Sequence, residues 1–290
     1  MAEVVGYLRL LGLDADPAGL PPTLDTLRRV HRAHLLALPY DNLDIMLGRP
    51  PAVTPDGALA HVVRTGRAGY CFGHNGTLEA VLTALGFDVG RRHGRAWLDP
   101  SHRASTDLNH LALVVGGLPT AAHPAGTWWA DVGLGEGFLE PLPLRAGAYD
   151  DGPLRYRVEE VRDDGWVFAH DPRGSFAGVE TRDLPVDDDA VAAAHAGLAT
   201  PPEGRFTTKL VVIRRRADGV AWLRGCVRGR IDAAGVVHRD DLTDWTTWRE
   251  TLDDLGLAVA DVERDHPGDL PALFERSLAA HRAWDAAGRP

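Results

Sequence analysis

The chain has 290 residues, 44% of them hydrophobic and 25% charged, which suits an ordinary globular protein with room for two or three subdomains. A net charge of −10, spread along the chain, excludes a general nucleic-acid surface but leaves room for an anionic small molecule held locally by Arg side chains or backbone N–H groups. No stretch approaches the roughly 18 apolar residues of a membrane helix, and Met1-Ala2-Glu3-Val4-Val5 lacks the marks of a signal peptide, so the expectation is a cytoplasmic protein.

The first 90 residues read as helical. From Thr23 to Leu36, Leu24, Leu27, Val30 and Leu35 fall near one stripe, and Pro39 ends the pattern. Thr54 is placed to cap a second helix through Leu59 and Val62. In the third, Leu78, Val81, Leu82 and Leu85 recur at i, i+3, i+4 and i+7, with Gly86 where a helix end favours a left-handed residue. From Phe87 the pattern changes to strands: His110–Val115, Thr127–Val132, Val158–Val161 and Trp166–His170, separated by turn-rich segments. This middle region reads as a small antiparallel barrel or sheet. Residues 186–204 read as a helix and a linker ending Pro201-Pro202-Glu203-Gly204. Strands at Phe206–Ile213 and Val220–Val227 follow, then helices near 244–255 and 270–285.

Cys71 and Cys226 are the only cysteines, which excludes a four-thiolate metal site; no His-Glu-x-x-His spacing occurs, so no metal is expected. Cys71 lies in Arg67-Ala68-Gly69-Tyr70-Cys71-Phe72-Gly73-His74-Asn75, at the mouth of the best helix. Free N–H groups and the positive end of a helix dipole favour a thiolate there, and glycines let a substrate approach the backbone. A lone cysteine is more often a buried packing residue, but the Gly-rich approach to the helix favours the nucleophile. Cys226, in a predicted strand, is read as a small core hydrophobe.

A thiolate nucleophile needs a base, and the base needs an orienting group. His110 opens a predicted strand, and Asp131 sits near the end of another in Trp128-Trp129-Ala130-Asp131-Val132-Gly133. A carboxylate in a core strand is costly without a charged partner, and an imidazolium supplies one. The other reading, Asp131 bonded to backbone N–H groups and His110 an ordinary core histidine, stays open on these residues alone. His31, His34, His61, His93, His102 and His123 are read as surface or packing residues. Gly133-Leu134-Gly135-Glu136-Gly137 is a weak phosphate-loop signal, and its place directly after Asp131 suggests N–H groups facing an acyl donor or its phosphates.

Taken together, these segments resemble the arylamine N-acetyltransferase family over nearly the whole chain. Arg67–Asn75 resembles the family's Arg-Gly-Gly-aromatic-Cys-x-Glu-x-Asn segment. Leu38-Pro39-Tyr40-Asp41-Asn42-Leu43 is similar to its Pro-Phe-Glu-Asn-Leu segment, His110–Val114 to its histidine strand, and Asp131-Val132-Gly133-Leu134-Gly135 to its Asp-Val-Gly-Phe-Gly segment. The resemblance implies a multi-domain α+β fold. Residues 1–88 would form a helical domain carrying the nucleophile and 89–186 a β-barrel carrying His110 and Asp131. A helix and linker would span 187–205, and 206–290 would form an α/β lid. It implies a ping-pong reaction in which Cys71 takes an acetyl group from acetyl-CoA and passes it to an arylamine or hydrazine. His110 would shuttle protons and Asp131 would orient the imidazole. Gly133 and Gly135 would face the donor, Phe72 and Leu134 the acceptor. Four departures mark this chain: Ala68 for the family's second Gly, Gly73 for Glu, Asp41 for the upstream Glu, and Leu134 for Phe. An Arg67–Asp41 pair is expected in place of the family's Arg–Glu contact.

Three other readings are carried forward. A family relative that closes macrolactams would use the same triad on a carrier-bound polyketide. A papain-like hydrolase would use Cys71 and His110, though the local papain signature is missing. A non-catalytic binding protein would have an inert Cys71.

Overall fold

The computed structural model describes residues 1–290 apart from 14, 15, 100, 102, 104–106, 203 and 290. The readings of His102 and of Glu203 in the linker lie outside the described residues. Helices α1 (Ala2–Leu10), α2 (Leu24–Ala37), α3 (Leu43–Met46), α4 (Pro55–Thr65) and α5 (Cys71–Ala84) come first, with strand β1 (Tyr40–Asp41) among them. The predicted cap is in place, the Thr54 hydroxyl accepting from Gly57 N–H at 3.3 Å, and the Thr23 hydroxyl caps α2 in the same way, accepting from Thr26 N–H at 3.3 Å. Strands β2 (Asp88–Trp97), β3 (His110–Gly116), β4 (Trp128–Trp129), β5 (Leu142–Pro143), β6 (Gly147–Asp151), β7 (Leu154–Arg162), β8 (Gly165–Ala169) and β9 (Gly178–Arg182) form one antiparallel sheet, nearly closed into a barrel. Its strand order is β5-β4-β3-β2-β9-β8-β7-β6.

After α6 (Asp188–Ala199), strands β10 (Val211–Arg216), β11 (Gly219–Arg224), β12 (Val227–Ile231) and β13 (Val237–Asp241) make a second sheet, closed at one edge by β1. Helices α7 (Trp245–Asp254), α8 (Val259–Asp265) and α9 (Asp269–Ala286) follow. The fold is therefore mixed α+β, with helices, a barrel and an α/β C-terminal part.

Strand β3 and the second sheet explain how the layers meet. Along β3, Leu111, Leu113 and Val115 pack into the core of the N-terminal helices, while Ala112 and Val114 face the barrel interior. Both faces are buried, which is why this strand reads as one apolar run rather than an alternation. In the second sheet, Val212 and Leu223 face the C-terminal helices, and Ile213, Val220, Trp222 and Ile231 face the barrel core.

The structure corrects two predicted strands and one cysteine. Thr127–Val132 contributes only the two residues of β4. Beyond it the backbone donors go to side chains: Asp131 N–H to His31 Nε2 at 3.2 Å, Val132 N–H to Asn75 Oδ1 at 3.0 Å, and Gly133 N–H to Asp131 Oδ1 at 2.9 Å. Phe206–Ile213 becomes strand only at Val211, because Asn42 gathers the preceding segment into a loop. Asn42 Nδ2 donates to the carbonyls of Phe206 (2.7 Å) and Lys209 (2.8 Å), and its Oδ1 accepts from Val211 N–H (2.7 Å). Cys226 is buried as expected, but in the tight turn between β11 and β12 rather than in a strand.

Candidate active site

Cys71 is the first residue of α5, where the N–H groups of the opening turn have no acceptors within the helix. Two glycines shape its approach. Gly69 takes a φ of +73°, the left-handed region. At Gly73 a Cβ would stand 2.1 Å from the carbonyl oxygen of Ala68, so the loop closes onto the helix where any side chain would sit. The departure at Gly73 is thus built into the path of the nucleophile loop.

The sequence candidates Cys71, His110 and Asp131 converge. Cys71 Sγ donates to the carbonyl of Asn109 at 3.7 Å and lies within hydrogen-bonding reach of the His110 imidazole. His110 Nε2–H donates to Asp131 Oδ2 at 2.6 Å, so Nδ1 is the ring nitrogen left for the thiol. Trp129 Nε1–H donates to the same oxygen at 3.1 Å, and Oδ1 accepts from Asn75 Nδ2 (2.8 Å) and Gly133 N–H (2.9 Å). All three residues are buried. Burial by itself would lower the His110 pKa, but the Asp131 charge and hydrogen bond, with the neighbouring thiol, raise it to about 10. Burial likewise opposes the Asp131 carboxylate, yet the His110 charge and the hydrogen bonds from His110, Asn75 and Gly133 hold its pKa below the ordinary value.

Cys71 and His110 open into a cavity of about 300 Å³. Tyr40, Leu134, Phe176 and Phe206 supply apolar walls, and Arg205, Lys209 and Arg224 supply positive charge. Arg224 is held by Glu136 at 2.7 Å. Arg205 and Lys209 are exposed and pair with no carboxylate among the described residues.

The remaining site candidates divide. Leu134 and Gly133 line the cavity. The Gly133 N–H, however, is taken by Asp131 and is not free for a donor; a Cβ there would fall 2.9 Å from Cys71 Cα, so its smallness lets the loop press on the nucleophile. Gly135 turns the chain at φ +71° against Tyr40 and Ile213 and is not among the lining residues. Phe72 is fully buried in the N-terminal core, edge-on to Tyr70, and does not reach the cavity. A side chain at the second position of a helix points away from what the first residue faces. Arg67 pairs with Asp44 at 2.6 Å rather than with Asp41, whose Oδ1 accepts from Leu43 N–H while Oδ2 has no partner.

Sequence reasoning missed the histidines beneath the site. Of the two readings left for His31 and His34, surface or packing, the structure takes the second: both are fully buried, as is His74. His31 Nδ1–H donates to Leu139 C=O at 3.0 Å and Nε2 accepts from Asp131 N–H, so one neutral imidazole spans both ends of the 131–139 loop. Burial pushes its pKa down to about 4, which keeps it neutral. In a second chain His74 Nε2–H donates to Pro39 C=O (3.2 Å), His34 Nε2–H to His74 Nδ1 (2.7 Å), and Tyr7 O–H to His34 Nδ1 (2.7 Å). The available signal was position: His31 and His34 lie three apart, on the stripe of Leu27, Val30 and Leu35. Among the described residues no group of three His, Cys, Asp or Glu side chains could hold a metal ion, and no helix is long and apolar enough to cross a membrane.

A thiol at a helix N-terminus and an imidazole on one cavity, with a buried carboxylate bonded behind the imidazole, define a protein of the cysteine–histidine–aspartate class. Residues 23–260 match the family model described as N-acetyltransferase. The chain is 33% identical to the arylamine N-acetyltransferase of Mycolicibacterium smegmatis over 251 residues, covering 83% of this chain and 84% of that one. Among solved structures, the Mycobacterium marinum arylamine N-acetyltransferase superposes with a TM-score of 0.81 at 28% identity, covering 95% of this chain and 99% of that one. The same M. marinum enzyme in complex with CoA gives 0.80 at 29% identity, covering 94% and 98%. This chain belongs to the arylamine N-acetyltransferase family and is an acyltransferase.

Proposed function

We propose that this protein transfers an acetyl group from acetyl-CoA to an arylamine or arylhydrazine by a ping-pong route through a Cys71 thioester. The observation that carries the reading is the pairing of Cys71 with a His110 whose far nitrogen is bound to Asp131 at 2.6 Å. His110 takes the thiol proton through Nδ1 and remains stabilised as an imidazolium by Asp131. Cys71 then attacks the donor carbonyl, while N–H groups of the first turn of α5 stabilise the oxyanion. CoA thiol leaves with a proton from His110. In the second half-reaction the amine attacks the thioester, loses its proton to His110, and Cys71 is released.

The chain's own charges fit an anionic donor. Arg205, Lys209 and Arg224 gather at one cavity of a protein whose net charge is −10. A second cavity, of about 450 Å³, shares Lys209 and Arg224 with the first and adds Trp222, Arg239, Arg276 and Trp284, room for the remainder of a long donor. In the relative solved with CoA, that ligand is the donor's product form, which agrees with this reading. Leu134 and Tyr40 are the wall against which the acceptor would rest. The two free cysteines suit a cytoplasmic setting, and residues 206–290 are read as the lid.

The test is the intact mass after mixing with acetyl-CoA in the absence of acceptor. A gain of one acetyl group, absent in Cys71→Ala, is expected. No gain from the folded protein would overturn the acetyl-CoA reading and favour a carrier-bound acyl donor, as in the macrolactam-forming relatives.

A further inference from the structure

The sequence holds 31 Lys and Arg residues, and a single one of them, Lys209, is a lysine. That one lysine lines the same cavity as Cys71 and His110. It is exposed and pairs with no carboxylate among the described residues. Its backbone, by contrast, is fixed relative to the nucleophile by two neighbouring residues. Asn42 Nδ2 donates to the Lys209 carbonyl at 2.8 Å, and Asp41 N–H donates to the carbonyl of Gly69, two residues before Cys71, also at 2.8 Å. The Lys209 stem then runs along the β11–β12 turn, where a Cβ on Gly225 would meet its Cγ at 3.6 Å. Lys209 is among the lining residues of both cavities. A flexible four-carbon arm on a fixed base, in the same cavity as the acylated cysteine, favours intramolecular transfer through high effective concentration.

We propose that Lys209 is an internal acyl acceptor: in the absence of an amine substrate, the Cys71 thioester passes its acetyl group to Lys209 Nζ. This rests on the thioester reading of Cys71 given above. Once CoA has left, Lys209 gives its ammonium proton to solvent and the resulting amine attacks the thioester carbonyl. A C–N bond forms, the C–S bond breaks, and the amine proton passes to His110 and the regenerated Cys71 site. The products are an Nε-acetyl-lysine and the free thiol, and no reactant beyond acetyl-CoA is required. The neighbouring Arg205 and Arg224 cannot serve, because a guanidinium is not a nucleophile under these conditions. Acetylation removes one of the three cavity cations, so the modified enzyme should bind its anionic donor less tightly.

The experiment is a time course with acetyl-CoA and no acceptor, each sample weighed before and after neutral hydroxylamine, which cleaves thioesters and spares amides. Peptide mapping has one lysine to interrogate, with the chain's α-amine as the other primary amine. Expected is a hydroxylamine-sensitive acetyl group that appears first and a resistant one that accumulates on Lys209. The resistant group should be absent in Lys209→Arg, be suppressed by aniline as external acceptor, and form about a hundredfold more slowly in Cys71→Ala. A sensitive group without a resistant one would overturn the Lys209 proposal and leave the thioester mechanism standing. Equal acetylation of Lys209 in Cys71→Ala would also overturn it, by showing direct attack on acetyl-CoA. Absence of the sensitive group with no Lys209 product would overturn both readings.

Discussion

Asn75 stands one helical turn beyond Cys71 and donates through Nδ2 to Asp131 Oδ1 at 2.8 Å, while its Oδ1 accepts from Val132 N–H at 3.0 Å. One side-chain amide thus locks the nucleophile helix to the segment that holds the carboxylate. Its geometry requires both a donor and an acceptor. Asn75→Asp would set a second carboxylate against Asp131 and remove the donor to Leu111 C=O. The expected cost is about 3 kcal/mol of stability, because buried acceptors then face one another. Urea midpoints with and without the substitution measure it, and an unchanged midpoint would mean that Asn75 does not carry this link.

His31 makes a parallel prediction from the other side of Asp131. His31→Ala leaves Asp131 N–H and Leu139 C=O buried without partners and removes the stack on Phe138, whose ring is 5.7 Å away. A loss of about 2–5 kcal/mol follows from two unsatisfied groups. His31→Gln, which offers an oxygen and an N–H at the side-chain end, should recover part of it. Acetyl transfer should fall in the same order across the series, since the 131–139 loop carries both Asp131 and the Leu134 wall. Stability loss with full activity would separate His31 from the site.

What could be read from the sequence was what short-range chemistry decides. Thr54 caps its helix through a bond to the residue three ahead, and β3 announces itself because both of its faces are buried. Cys71, His110 and Asp131 stood out because each carries a reactive or costly group in an apolar setting. What stayed hidden depends on contacts distant in sequence. The early end of β4 follows from His31 and Asn75, dozens of residues upstream, and the loop before β10 from Asn42. The edge strand β13, Val-His-Arg-Asp-Asp, carries too much charge to read as a strand, and pairing with β12 decides it. Phe72 was misplaced because a motif names a residue without saying which way the helix turns it.

The His110–Asp131 pair sets a pH window for stability. The His110 pKa is raised from 6.5 to about 10, so its contribution is complete below about pH 6.5 and is lost as pH rises through about 10. The Asp131 pKa is lowered from 3.8, so its contribution is present above that value and is lost as pH falls below it. Asp131→Asn removes both, and either orientation of the amide turns an NH₂ toward existing donors. The stability difference between wild type and variant should be greatest between about pH 4 and 6.5 and shrink toward pH 10. Acetyl transfer should fall by about 10⁴, the scale seen when an orienting carboxylate is neutralised. Activity retained in the variant would remove Asp131 from the mechanism.

The two thiols should separate under alkylation. Burial pushes the Cys226 pKa up to about 11, and no basic group of the described residues is bonded to it, so near pH 8 only about one part in a thousand is thiolate. Iodoacetamide at that pH should label Cys71 well before Cys226, with loss of acetyl transfer tracking the first label. Equal labelling would count against an activated Cys71.

Asp41 carries the opposite sign from its neighbour. Burial raises its pKa to about 6, against the pull of Arg67, and leaves Oδ2 unpartnered; Asp44, bonded to His61 and Arg67, is held down to about 2 despite its own burial. A carboxyl whose folded pKa is raised favours the folded state below its unfolded pKa, and that advantage is lost as pH climbs through about 6. Asp41→Asn keeps an oxygen for the Leu43 N–H and cannot ionise. Above pH 6 the variant should therefore be more stable than wild type, by up to about 3 kcal/mol, with the gain fading toward pH 4. The Arg67–Asp44 bond at 2.6 Å is retained throughout, so Arg67 is not stranded. Urea unfolding at pH 8 and pH 4.5 decides the matter. A wild type more stable at pH 8 would show that the Asp41 charge is a productive second partner of Arg67, and that the shorter side chain has kept the role of the family's glutamate.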